Sequence, residues 1–150
     1  MTALEFLESY KKLNTKINLK LEQLEQLKAS ATKTTSLIGC TPGSSSPAKS
    51  RMEEIIVRYS DLENRINAEI DSCYALKLDI LDIISQLSDD RYRLLIEMRY
   101  LEDCSWEEVG DKLYLSRASA YRLRKPALAE VQRILDNENG KNDGKKVETA

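Results

Sequence analysis

Apolar residues recur with a period of seven over residues 3–27 and again over residues 52–87. In residues 3–27 one row is Ala3, Tyr10, Ile17 and Leu24, and the other is Phe6, Leu13, Lys20 and Leu27. Only Lys20 interrupts them. Leu7 and Leu21 widen the stripe, which predicts a helix burying more than a narrow seam. The second pattern is more regular. Met52, Tyr59, Ile66, Cys73, Ile80 and Leu87 form one row, and Ile55, Leu62, Glu69, Leu76 and Ile83 the other. Ten of these eleven positions are apolar, and Glu69 is the exception. Such a repeat predicts a coiled-coil seam.

Local signals bound these helices. Thr2 with Glu5 three residues on is a capping-box pattern, and Ser46-Pro47 reads as an N-cap followed by a first-turn proline. Residues 30–46 are Ser/Thr-rich, contain Gly39 and Gly43 and lack helical period, so they read as a flexible linker. Helix two, over 47–87, would span roughly 60 Å, whereas 3–28 spans roughly 39 Å. An antiparallel hairpin would then leave Ile80, Leu81, Ile83, Ile84 and Leu87 uncovered. These are expected to pack on the C-terminal domain and on another subunit. Ser88-Asp89-Asp90 marks a break and a new N-cap, and the tail 136–150 has no apolar period and is expected to be disordered.

The expected fold is therefore all-α, a long antiparallel helical hairpin (coiled coil) followed by a small helix-turn-helix domain. Its parts are helix one at 1–29, the linker at 30–46, helix two at 47–87, the helix-turn-helix domain at 88–135 and the tail at 136–150. Composition agrees: Leu, Ile, Glu, Lys and Arg dominate, and five glycines with one phenylalanine argue against a sheet.

Composition also narrows the chemistry. The chain of 150 residues has no histidine, which removes the commonest general base and metal ligand. Cys40, Cys73 and Cys104 are widely spaced, with no Cys-x-x-Cys pair for zinc or redox work. They read as reduced thiols, Cys73 as a small core hydrophobe. No nucleotide loop or metal constellation is present. No enzyme activity, cofactor or metal is expected. With no membrane-length apolar run and no signal-peptide start, a soluble cytoplasmic protein is expected.

One segment offers a function. Ser105 with Glu108 is a second capping box, and Val109, Leu113, Leu115, Ala120 and Leu123 supply apolar or small positions on either side of a turn. Gly110 falls where two helices would approach closely, and Ser116 is placed to cap the second. The net charge of −2 conceals a segregation. Residues 102–111 carry five acids and no base, whereas 112–133 carry six bases and only Glu130 as an acid. A polarised helix-turn-helix is the pattern of a module that enters the DNA major groove.

With Ala120 and Leu123 inward, helical spacing turns Arg117, Ala118, Tyr121, Arg122 and Lys125 outward. Arg117 and Ser119 lie in the first turn, where base edges are reached, and an arginine fork matches guanine. Arg122, Arg124 and Lys125 suit phosphates. Trp106 reads as a packing residue. Tyr114 occupies a turn position where glycine is usual, so the turn could be longer. At Pro126 the second helix either kinks or ends at Arg124 with a final helix from Pro126 to Leu135.

The stretch RYRLLIEMRYLEDCSWEEVGDKLYLSRASAYRLRKPAL resembles region four of bacterial sigma factors, the helix-turn-helix that binds the promoter −35 element. Nearly the full chain, including the N-terminal heptads, TKTTS, NAEID and DDRYRLLIEMRYLE, is similar to a family of small phage and prophage proteins. That family joins this module to a helical hairpin. A more distant likeness is to phage late-gene activators of the ArpU and RinA type. The resemblance implies a DNA-binding transcriptional regulator of phage late genes or a prophage. Ser116, Arg117, Ser119, Tyr121 and Arg122 would form its reading end. Expected partners are double-stranded DNA, RNA polymerase as a further candidate, and a second copy through the hairpin, with no membrane. Two other readings compete: a DNA-packaging protein like a small terminase subunit, and a non-DNA coiled-coil adaptor.

Overall fold

A computed structural model describes residues 1–39 and 47–148, with the backbone alone for 34–39, 48 and 143–148. The protein is all-α. In chain order the helices are α1 (Ala3–Gly39), α2 (Pro47–Ser85), α3 (Asp90–Ile96), α4 (Glu97–Leu101, a π-helical turn), α5 (Trp106–Leu113) and α6 (Arg117–Glu148). The chain divides into two compact units, Leu13–Cys73 and Met1–Lys12 with Tyr74–Ala150, each described separately below.

The unit 13–73 is an antiparallel helical hairpin. Along α1 from 13 to 27 the residues withdrawn from solvent are Leu13, Ile17, Lys20, Leu24 and Leu27. Along α2 from 52 to 73 they are Met52, Ile55, Tyr59, Leu62, Ile66, Glu69 and Cys73. All sit on the two heptad rows, as a seam of 3.5-residue period requires. Lys28 and Ala31 of α1 line a shallow groove with Ile55, Ile56 and Tyr59 of α2. Nearer the other end, Lys20 Nζ lies 2.6 Å from Glu69 Oε1, and Lys16 Nζ lies 3.2 Å from the same oxygen. The two polar interruptions in the heptads are therefore each other's partners. The lysines, Lys20 above all, hold the Glu69 carboxyl below its ordinary pKa. Glu69 Oε2 is buried without a hydrogen-bond partner. A charged pair inside an apolar seam penalises every register that separates it.

Three expectations are corrected here. Leu21 is 40% exposed, so the stripe is no wider there than the seam. The stretch 30–39, expected within the linker, belongs to α1. Ser30 and Thr32 turn their hydroxyls back onto the carbonyls of Gln26 and Lys28, both at 3.0 Å, which lets a Ser/Thr-rich run stay helical. Residues 40–46, with Cys40 and the expected Ser46 cap, lie outside the described residues. The two long helices, of 37 and 39 residues, are then matched in length, and the argument from a shorter first helix fails.

The second unit holds one core. Ile80, Ile83 and Ile84 from the end of α2, with Leu87 just beyond it, meet Leu95, Ile96 and Met98, Val109 of α5, and Ala120, Ala127, Val131 and Ile134 of α6. Ala3 and Leu7 join them, Leu7 fully buried. The apolar end of α2 thus packs on the C-terminal helices. Thr2 and Glu5 form the expected reciprocal cap, with bonds of 2.9 and 3.2 Å. Asp89 caps α3 by accepting from Arg91 N at 2.8 Å. Ser88 donates from both its backbone N–H and its hydroxyl to Glu130 Oε1, each at 2.8 Å. These bonds hold the Glu130 carboxyl below its ordinary pKa.

α6 does not end at Arg124. It passes through Pro126, and Ala127 and Val131 beyond it are fully buried, so packing on both sides of the proline offsets the missing backbone bond. It also continues into the expected disordered tail 136–150, through residue 148. Lack of apolar period there leaves 136–142 exposed, but backbone bonding persists, and Glu138 accepts from Gln86 Nε2 at 3.2 Å. Residues 149–150 lie outside the described residues.

Candidate nucleic-acid interface

α5 and α6 form two helices joined by residues 114–116. Ser105 starts α5, its hydroxyl accepting from Glu108 N at 3.2 Å while its own N–H donates to Glu108 Oε2 at 3.0 Å. The helix stops at Tyr114, which adopts φ 58° and ψ 39° and is 96% exposed. Leu115 N donates to Gly110 O at 2.8 Å and Tyr114 N to Asp111 O at 3.4 Å, the paired bonds of a Schellman stop. Glycine is usual at that position, yet a tyrosine with its ring in solvent adopts the left-handed conformation at a local cost of about 1 kcal/mol. No longer turn is needed.

Gly110 allows the turn to close. A Cβ there would lie 2.8 Å from Leu115 O and 3.3 Å from the Ser116 carbonyl. Ser116 then caps α6, accepting from Ser119 N at 3.1 Å. Its hydroxyl also donates to Ser119 Oγ at 2.9 Å.

The residues singled out in the sequence fall into two groups. Arg117, Tyr121, Arg122 and Lys125 are exposed, together with Ala118, on one arc of the first turns of α6. No ion pair engages Arg117, Arg122 or Lys125 among the described residues. The opposite arc, Ala120, Leu123 and Ala127, faces the core. Ser116 and Ser119 instead spend their hydroxyls on the helix start. Arg124 is half-buried, and its Nε donates to Tyr100 Oη at 3.3 Å, so it is partly a brace between α6 and α4.

Trp106 packs, as expected, partly buried against the core. Its ring stands edge-on to Tyr121, with centroids 5.3 Å apart and planes at 84°. The Arg99 guanidinium lies 5.1 Å over the indole, and Arg99 Nη1 also donates to Cys104 O at 2.9 Å. Trp106, Arg117, Ala118 and Tyr121 line an open, mostly apolar cleft of about 350 Å³. Sequence spacing could not place Trp106 here, because the π turn of α4 and the three-residue turn after α5 together set its position.

No group of three or more His, Cys, Asp or Glu among the described residues could hold a metal ion. No helix among them is long and apolar enough to cross a membrane.

This architecture defines an all-α protein with a pair of long helices, three short helices and an exposed cationic start to its last helix. The chain belongs to the family described as "Protein of unknown function (DUF1492)", which matches residues 46–132, from the start of α2 into α6. No curated protein and no solved structure matches it.

Proposed function

We propose that this protein is a sequence-specific DNA-binding transcriptional regulator that uses α5 and α6 as a helix-turn-helix. The observation that carries the reading is the free cationic face at the start of α6. Among the described residues no ion pair engages Arg117, Arg122 or Lys125, which are exposed beside a turn tightened by Gly110. Cations left without acidic partners attract a polyanion, and the first turn of such a helix is the part that meets base edges. The resemblance of residues 91–128 to region four of sigma factors supports the same reading and extends it. In that fuller form the protein regulates phage late genes or a prophage, works in the cytoplasm as a homo-oligomer joined through the hairpin, and has RNA polymerase as a second partner.

The residues divide the labour. Arg117 reads a base, with the planar fork that suits guanine O6 and N7. Arg122 and Lys125 hold phosphates and set register. Arg124 contributes less than its charge suggests, because Tyr100 engages it. The test is selection of bound duplexes from random DNA with wild-type protein and two variants. Arg117→Ala is expected to relax preference at one position, and Lys125→Ala to weaken all duplexes alike. Failure of the wild-type protein to bind any duplex at low salt would refute the function.

A further inference from the structure

The cleft between the start of α5 and the first turns of α6 has Arg117 in its lining but is mostly apolar. Its wall is the Trp106 indole, fixed by Arg99 on its face and by the Tyr121 ring at its edge. Ala118, exposed and small, and Tyr121, 53% exposed, line it as well. An apolar recess next to a free guanidinium is poorly matched to a phosphate. It is well matched to the one apolar group that duplex DNA presents in its major groove, the C5-methyl of thymine.

We infer that the cleft lined by Trp106, Ala118 and Tyr121 is a thymine-methyl pocket, and that Arg117 on its rim engages a neighbouring guanine. The inference rests on the DNA-binding reading and names what that site selects: a step that places thymine beside guanine. Ala118 is the residue that sets the selectivity, since any longer side chain there would occupy the recess. Trp106 positions the pocket wall and, as the sole tryptophan, reports on its occupancy.

The probe is a fluorescein-labelled duplex from the random-DNA selection, with each thymine replaced in turn by deoxyuridine. Uracil keeps every base-pairing hydrogen bond and lacks only the methyl group. At one position the replacement is expected to weaken binding about three- to five-fold, the transfer equilibrium of a single buried methyl. Ala118→Gln, an exposed substitution that fills the recess, is expected to weaken binding of the thymine duplex about as much as the deoxyuridine replacement does and to abolish the difference between the two. Saturating duplex is expected to shift Trp106 emission in the wild-type protein. Specific binding that is indifferent to every deoxyuridine replacement overturns the pocket and leaves the regulator reading standing. So does unchanged Trp106 emission at saturation, which would leave the cleft for a protein side chain. Absence of duplex binding altogether removes both.

Discussion

Replacing Gly110 by alanine separates local helix preference from the close approach on which the α5–α6 turn depends. Alanine is favoured over glycine inside a helix by about 1 kcal/mol. At Gly110 the added Cβ would sit 2.8 Å from Leu115 O, and carbon–oxygen contacts settle at about 3.3–3.6 Å. The turn must open by about half an ångström. The opposing atoms are backbone, so no rotamer can relieve the contact, and the Leu115 N to Gly110 O bond of 2.8 Å sits in the same turn. Overpacking costs typically 1–3 kcal/mol, and against backbone the upper end applies. After the gain in helix preference, the net loss is about 2 kcal/mol. In a chain of this size that lowers Tm by about 4–8 °C. Gly140 is the control, since a Cβ there meets nothing within 4 Å. Urea unfolding followed by far-UV circular dichroism should show Gly110→Ala destabilised and Gly140→Ala unchanged or slightly stabilised. If the two variants gain stability alike, the close approach at Gly110 is absent and the account of the turn is wrong.

Other expected outcomes follow from the same geometry. Tyr114→Gly should raise stability by up to about 1 kcal/mol, because it relieves a left-handed residue and removes an exposed ring; a lower urea midpoint would contradict this. Glu69→Lys would place three lysines together in the hairpin and should lower Tm, and adding Lys20→Glu should recover part of the loss; equal Tm values for the single and double variants would show that the pair sets no register. Glu130 has a depressed pKa in the folded state, so its bonds to Ser88 contribute stability above the ordinary carboxylate pKa near 4.5 and lose it as pH falls through the lower folded value. Glu130→Gln should therefore flatten the loss of stability below about pH 4.5, and an unchanged acid profile would argue against the tether.

The hairpin was legible because a seam of fixed period writes itself into the sequence. From 52 to 80 every position on the two rows is withdrawn from solvent and the positions between them are exposed. The caps at Thr2, Asp89, Ser105 and Ser116 were legible for a similar reason, since each is a local bond across two or three residues. Composition misled at 30–39, where the chain stays helical and the hydroxyls of Ser30 and Thr32 bond back within the helix. It misled again at the tail, where missing apolar period signals missing packing, not missing helix. Individual polar contacts between distant segments left no trace. The bonds from Ser88 to Glu130 and from Arg124 to Tyr100 join residues 42 and 24 apart, and the place of Trp106 beside Tyr121 depends on both turns around α5. Hence the exposed arc of α6 was readable from spacing, whereas the cleft beside it was not.

The central claim is that the exposed cations at the start of α6 meet DNA phosphates and bases. Fluorescence anisotropy across a salt series measures this most directly, comparing the wild-type protein with the combined Arg117→Ala, Arg122→Ala, Lys125→Ala variant on one selected duplex. Each phosphate contact contributes about 0.9 to the slope of log K against log salt, so losing the two phosphate contacts of Arg122 and Lys125 should flatten it by about 1.8 per protomer. Equal slopes for the two proteins, with the variant still folded by circular dichroism, would contradict the claim.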